Sequence, residues 1–495
     1  MEKSKDSVAI ILLFIISFAF YAGSLSHMPT DGDSCELAAN AILGKVLHPP
    51  GYALYGSLLR LCQHFPIGTE AFKCGLLSVL SGAFAVCLFF ILARLLNFGL
   101  VESFGSALLL SASSQLWIQA TRIEVYALEL ALFLATICAY VHWDKKVSSY
   151  KRATLFTTLF TVAFFHRLNA FVIAPVVLLH FYLRHLKEAK NLDWSSLLKH
   201  CFIGFIIGLL PLISFCFVSF DNVVIYGPEQ PTLCKVIFGG GGYFQYLFKF
   251  QNMGLIGRTS HVVTLLSLQA QFIGLAMACL GWILIVHQGE TRNHKFLLFC
   301  GLAHLFFIWS YGVDDVETMM LPTWSMLALG WVGLFTSWRN RRETLVYANQ
   351  WQKAVAYLIL FLMLIWWNGP LHKNANSTAL YEVIKAFHER LDHKCHIFTH
   401  KTEEGKMFTL YYVNEITGPK KELKLHSFSF EGMSDNIDVA RLAIGDFLNK
   451  GQAVYVSLTF PIVKNNFETK TLGPYSEIIK VKPKPKRVKT KSSPQ

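Results

Sequence analysis

The chain has 495 residues, 53% of them hydrophobic and 16% charged, with a mean hydropathy of +0.41. Soluble globular enzymes carry about 25% charged residues, so these proportions exclude that class and define a membrane protein. The formal charge of +13 does not indicate a nucleic-acid partner, because most of it falls beside apolar runs, where basic residues set topology.

The first apolar run, Val8 to Ser26, follows Lys3 and Lys5 and has no small-x-small cleavage site, so it reads as an uncleaved helix. Further runs near the ~20 residues that cross a bilayer fall at 73–95, 99–117, 123–143, 151–166, 168–184, 200–220, 264–287, 295–311, 319–338 and 351–368. The expected architecture is an all-α polytopic membrane protein of about eleven spans.

Basic residues gather on alternate connections: Lys3, Lys5, Arg94, Lys145, Lys146, Lys151, Arg152, Arg184, Lys187, Lys190, Lys199, Arg292, Lys295, Arg339, Arg341, Arg342 and Lys353. Cytoplasmic loops retain such residues during insertion, which puts the N-terminus in the cytoplasm and, after an odd number of crossings, the C-terminus outside it. The opposite face collects Asp31, Asp33, Glu36, Glu70, Glu124, Asp221, Glu229, Asp314, Asp315 and Glu317. That face also carries the two long loops, 27–72 and 221–263, and loops of such length are commonly functional.

Residues 369–478 alternate a helix-like stretch, Ala379 to Leu391, with strand-like runs such as Ala453 to Phe460, and read as a small extracytoplasmic α/β domain. The basic tail 479–495, with Lys482-Pro483-Lys484-Pro485-Lys486-Arg487, is expected to be disordered. Cys87, Cys138, Cys216, Cys279 and Cys300 stand singly in apolar runs and read as small buried hydrophobes, with no C-x-x-C pair. No repeat, nucleotide loop or metal-ligand spacing is visible.

Chemistry-bearing residues concentrate on the external side. Asp33 and Glu36 open a short helix after Pro29-Thr30-Asp31-Gly32, where Asp33 reads either as a helix cap or as a functional carboxylate. His48-Pro49-Pro50-Gly51-Tyr52 is a rigid turn that gathers His48, Tyr52 and Tyr55 beside those acids. Leu54, Leu58, Leu61 and Phe65 form the apolar stripe of an amphipathic surface helix.

Trp117 to Tyr126 contributes Arg122, Glu124 and Tyr126, and the turn His166-Arg167-Leu168-Asn169 contributes His166 and Arg167. Arg122 and Arg167 suit a phosphate, since guanidinium forks match its oxygens. An Arg–Glu pair that merely anchors two helices is the alternative for Arg122 and Glu124. Tyr226-Gly227-Pro228-Glu229-Gln230-Pro231 and the run Gly239 to Gly242 mark a hinge or linker. Asp314-Asp315-Val316-Glu317 reads as an acidic cap or a divalent-cation ligand set.

Asp33-Ser34-Cys35-Glu36-Leu37, then His48-Pro49-Pro50-Gly51-Tyr52-Ala53-Leu54-Tyr55, then Trp117-Ile-Gln-Ala-Thr-Arg-Ile-Glu124-Val125-Tyr126-Ala127-Leu128 resemble the blocks of a multi-span family whose eukaryotic members are protein O-mannosyltransferases acting on IPT/plexin folds. The resemblance covers roughly residues 1–340. It extends to the GT-C superfamily, which implies a polyprenyl-phosphate-sugar donor, inversion, and an acid in the first external loop as base. Asp33 matches that acid, with Glu36, His48 and Glu124 as nearby motif positions. Cys35 stands where glycine is common, the His166–Asn169 turn follows the family's Gly-Asn-His turn only loosely, and the C-terminal domain lacks the eukaryotic helical repeats.

The expected function is transfer of a sugar, mannose by resemblance, from a lipid-linked polyprenyl-phosphate donor to a protein Ser/Thr or glycan hydroxyl, with no nucleic-acid partner and with a metal requirement left open by the residues. A transporter with an external acidic substrate or cation site is the second reading, and a non-catalytic recruiting protein the third. Asn376-Ser377-Thr378 is a sequon, relevant only in the endoplasmic reticulum. The short, repeat-free chain favours a bacterial inner membrane.

Overall fold

Backbone in lipid has to satisfy its hydrogen bonds within its own segment, so the apolar runs fold as helices. The computed structural model describes residues 2–30, 32–185, 193–222, 230–239, 254–287, 292–312, 316–337, 346–400, 404–428, 444–457, 467–472 and 474–481. The chain divides into two compact units, Met1–Pro29 with Asn40–Ser377, and Thr30–Ala39 with Thr378–Gln495.

The helices of the first unit, and the one that enters it, are α1 (Glu2–Ala22), α2 (Asp33–Ile42, assigned to the second unit as far as Ala39), α3 (Ala53–Cys62), α4 (Glu70–Leu95), α5 (Leu100–Ser111), α6 (Ser114–Ala120), α7 (Tyr126–Asp144), α8 (Tyr150–His166), α9 (Ala174–His185), α10 (Trp194–Gly208), α11 (Gly254–His287), α12 (Arg292–Ser310), α13 (Leu321–Ser337) and α14 (Val346–Ala375). Among the described residues, seven segments are long and apolar enough to cross a membrane: Ser4–Ala22, Glu70–Leu95, Tyr126–Asp144, Leu168–His185, Trp194–Phe217, Gly254–His287 and Gln350–Glu389. The other expected spans are helical but shorter, more polar or broken. The run at 99–117 breaks at Ala112-Ser113, where the Ser111 and Ser113 hydroxyls turn back onto Leu108 O and Leu110 O, each at 2.7 Å, offering the backbone an alternative to the helix. The run at 200–220 passes at Leu210 into a 3-10 helix, Leu210–Phe217, with Pro211 in its first turn.

Close packing rests on small residues. Gly204 and Gly208 lie one turn apart on α10, and a Cβ on Gly208 would stand 2.8 Å from the Thr158 carbonyl of α8, with the Thr161 side chain as near. This is the small-xxx-small device by which spans approach without a hydrophobic drive. Outward faces carry exposed Leu178, Leu179, Leu183, Phe202, Ile256 and Trp366, as lipid-facing surfaces should. Charges inside the bundle are matched: Lys353 and Glu102, both buried, pair at 2.5 Å, and Asp144 takes Arg184 at 2.5 Å and His185 at 3.0 Å.

The two long loops meet. Val46 N donates to Ser219 O and Asn222 Nδ2 to Val46 O, both at 2.8 Å, while Val46, Ala53, Phe215, Val236 and Ile237 form one apolar cluster. Gly51 is required there, at φ +75°, because a Cβ would press on Val236 and stand 2.9 Å from Phe215 Cζ. On α3, Leu61 of the apolar stripe faces outward, as does Phe65 beyond the helix end, while Leu54 and Leu58 are half-buried and Tyr55, Gly56, Leu59 and Cys62 are buried.

The second unit holds α15 (Ala379–Glu389), α16 (Glu404–Tyr412) and a five-stranded sheet of β1 (Lys394–His400), β2 (Glu422–Phe428), β3 (Ala453–Ser457), β4 (Phe467–Leu472) and β5 (Tyr475–Val481), in the order β2-β1-β3-β5-β4. Strands β2, β1 and β3 run parallel and β5 antiparallel to both neighbours. Its core is Phe398, Ile444, Val454, Val456 and Ile478.

All eleven cysteines are free. Cys216 and Cys279, expected to be buried, are exposed on the apolar outer surface, where a thiol is tolerated as a small apolar group. Tyr226 to Glu229, Gly240 to Tyr243, Asp314, Asp315 and most of the basic tail lie outside the described residues.

Candidate functional site

In the second unit, Asp33 is the first residue of α2 and Glu36 lies in its first turn. Carboxylates there are favoured by the helix dipole by ~0.3–1 kcal/mol each. Asp33 is half-buried and Glu36 fully buried. The preceding turn is held by Thr30 Oγ1 and Ser34 Oγ, 2.9 Å apart, and Cys35 Sγ lies 3.5 Å from Thr409 Oγ1 of α16.

In the first unit, four segments distant in sequence converge. Gly51 N donates to His48 O at 2.7 Å, closing the His48–Gly51 turn, whose Pro49–Pro50 bond is cis. Tyr52 follows at φ 42°, ψ 54°. A non-glycine residue held in the left-handed region costs about 1–3 kcal/mol and such residues cluster at functional sites. The Tyr52 ring contacts His48 at 5.2 Å and His166 at 5.7 Å between centroids, and Tyr55 reaches His166 at 6.5 Å. Burial first, then the Glu124 carboxylate, pushes the Tyr55 phenol well above its ordinary pKa, so it remains a protonated donor at neutral pH.

The Thr121–Tyr126 segment between α6 and α7 is pinned along its length. Ser78 Oγ of α4 donates to Glu124 O at 3.3 Å, and His166 Nε2 lies 3.2 Å from Val125 O. The Arg167 guanidinium sits 4.5 Å over the Tyr126 ring. Its charge is answered by Glu129 at 3.3 Å, whose carboxylate also accepts from Asn169 Nδ2 at 2.6 Å.

Thus His48, Tyr52, Tyr55, Glu124, Tyr126, His166 and Arg167 form one neighbourhood in the first unit, and Asp33 and Glu36 belong to the second. Arg122 is half-buried and acts electrostatically on His372 of α14. The sequence reading missed Glu129, although a lone carboxylate inside the apolar run 123–143 is itself a signal. Lys45 and Arg60 are further cations that the sequence did not single out. With Tyr52, Gly51, Phe215 and Val218 they line a small opening, pairing two cations with an apolar wall. Among the described residues no group of three or more His, Cys, Asp or Glu could hold a metal ion.

Residues 33–190 match the family model of the Protein O-mannosyl-transferase TMEM260 N-terminal domain. The Protein O-mannosyl-transferase TMEM260 of Mus musculus is 26% identical over 336 residues, 64% of this chain and 46% of the relative, so the match spans about half that protein's length. The resemblance drawn from the motifs therefore holds. In solved structures the fold is similar to ArnT from Cupriavidus metallidurans bound to undecaprenyl phosphate, at a TM-score of 0.59 and 12% identity over 95% of this chain and 97% of that one. It is also similar to the apo oligosaccharyltransferase of Archaeoglobus fulgidus, at 0.56 and 10%, covering 93% and 70%. At such identities the likeness is one of fold alone.

Proposed function

We propose that this chain is a membrane glycosyltransferase that moves a sugar, mannose by resemblance, from a polyprenyl-phosphate donor to a hydroxyl acceptor, a protein Ser/Thr in the first instance, on the extracytoplasmic face. The observation that carries the reading is the convergence of His48, Tyr52, Tyr55, Glu124, Tyr126, His166 and Arg167 from separate segments, within a chain whose residues 33–190 match an O-mannosyltransferase domain. The ArnT neighbour, bound to undecaprenyl phosphate, supports a lipid-linked donor.

A sugar on a lipid phosphate carries its own leaving group. The acceptor oxygen attacks the anomeric carbon as the bond from that carbon to the phosphate oxygen breaks, inverting the centre, and the hydroxyl proton passes to Asp33. General-base assistance supplies about 10²–10⁴-fold. Cations stabilise the charge that develops on the leaving phosphate. Arg122 and Arg167, with Lys45 and Arg60 at the opening beside Tyr52, are the cations proposed for that role. The N-terminus is assigned to the cytoplasm on the distribution of basic residues.

The test is transfer of radiolabelled mannose from polyprenyl-phosphate-mannose by purified protein in nanodiscs, with a Ser/Thr-rich acceptor. Asp33→Asn is expected to reduce turnover at least 100-fold, in line with loss of a general base, while donor binding persists. Undiminished turnover in that variant removes Asp33 from the mechanism.

A further inference from the structure

The last span, α14, presents Asn368 and His372 four residues apart and Asn376 four further on, so the three share one stripe. Each meets the stretch from α5 to the end of α6. Fully buried Asn368 donates from Nδ2 to Ala112 O at 2.8 Å, at the α5–α6 break. The His372 ring stacks on Trp117, 4.5 Å between centroids with planes 17° apart, and its Nε2 lies 2.8 Å from Thr121 Oγ1. Asn376 Nδ2 donates to the same Thr121 Oγ1 at 2.6 Å and stands 2.8 Å from His372 Nε2.

The foot of this stripe also meets a strained point. The helix α11 kinks at Ala270-Gln271, with Gln271 at φ 58°, ψ 168°, a region otherwise confined to glycine. Gln271 Nε2 donates to Asn368 Oδ1 at 3.4 Å, and Ser114 Oγ of α6 donates to Leu268 O at 2.9 Å. Three elements are therefore locked together at the α5–α6 break, where Ser114 precedes Thr121 by seven residues. The residue after Thr121 is Arg122, and Glu124 follows two further on, while the far end of the segment is held by Ser78 and His166.

We propose that Asn368, His372 and Asn376 are positioning residues, a polar ladder on the last span that fixes Thr121 and thereby the direction in which Arg122 enters the site. The effect on catalysis rests on the function proposed above; the effect on the geometry of the 117–124 segment does not. Interhelical hydrogen bonds between spans add little to stability on average, whereas small misplacements of groups around a reacting centre cost about 10²-fold in rate. A positioning role therefore separates from a structural one.

The test uses the full chain in nanodiscs, with His372→Phe, which keeps a ring on Trp117 but removes the bond to Thr121, His372→Gln, which keeps a polar tip, and Asn376→Ala. Two readouts are taken: hydrogen exchange of residues 112–124, and kcat and KM for polyprenyl-phosphate-mannose. His372→Phe and Asn376→Ala are expected to speed exchange in 117–124 about tenfold and to lower kcat about tenfold or more, with Tm nearly unchanged. His372→Gln is expected to recover most of both. Unchanged exchange in folded His372→Phe and Asn376→Ala overturns the ladder, as does a loss of Tm with kcat intact. If the wild-type chain transfers no sugar from this donor, the functional reading falls, and the exchange measurement still decides whether the ladder orders the segment.

Discussion

Glu129 and Arg167 show how a single carboxylate can decide the fate of a site residue. Both side chains are nearly buried, 7% and 11% exposed, and face each other across α7 and the turn after α8. Removing one partner of a buried pair leaves an uncompensated charge and costs about 3–5 kcal/mol, while replacing both with apolar groups is often near neutral. Glu129→Gln is therefore expected to lower Tm in detergent markedly, and Glu129→Leu with Arg167→Met to recover much of the loss. Equal Tm for wild type and Glu129→Gln contradicts the ion pair. The residue types of the site were legible in the sequence, because His48 and Tyr52 flank a Pro-Pro-Gly turn in an external loop, and Glu124 and His166 are polar groups at the ends of apolar runs. Which carboxylate answers Arg167 was not, since that partner, Glu129, lies 38 positions away and only the packing of α7 brings it there.

At the level of elements, α8 and α10 depend on the absence of side chains at two positions. A Cβ on Gly204 would stand inside contact distance of Thr157 Oγ1, and one on Gly208 close to both the Thr158 carbonyl and Thr161. A carbonyl cannot retreat as a flexible side chain does, and overpacking of this kind costs about 1–3 kcal/mol. Gly208→Leu is expected to lower Tm more than Leu198→Ala, a change on the exposed apolar face of the same helix. Equal effects would mean that α10 does not pack through this face. Hydropathy made the apolar runs legible, yet it was blind to the break at Ala112-Ser113 and to the kink at Ala270-Gln271, because it does not register the Ser111 and Ser113 hydroxyls that turn back on the backbone at the first or the bond from Gln271 to Asn368 of another helix at the second.

For the whole molecule, the second unit carries its own response to pH. Burial first, then the neighbouring His396 and Lys424, lowers the His426 pKa to about 4. Burial, with Lys424 and Lys394, lowers His396 in the same direction, against a hydrogen bond to Gln452. An unfolded histidine titrates near ~6.5, so the unfolded chain takes the proton first. Stability is full above that value, falls as pH drops toward 4, and levels off below. The urea midpoint of this unit, read from the 19F signal of fluorophenylalanine at position 447 (whose ring stacks on His396 at 3.7 Å), is expected to drop between pH 7 and 4.5. His426→Phe, keeping the stack on Phe398 at 4.5 Å, should flatten that slope; an unchanged slope assigns it to other groups.

By itself the sequence determined the solvent: a chain that is 53% hydrophobic and 16% charged cannot hide its apolar runs in a water-soluble core, and periodicity marked a C-terminal segment that can. It also marked the chemically dense blocks around Asp33, His48, Glu124 and His166, because polar groups next to lipid are costly and therefore sparse. Only the tertiary structure decided which of those groups meet, that Glu129 neutralises Arg167, that Lys45 and Arg60 share an opening with Tyr52, and that α14 returns to grip Thr121. The physical reason is range. Hydropathy is a property of neighbours in the chain, whereas charge pairing and hydrogen bonding belong to neighbours in space, and in this fold those are separated by as many as 374 residues.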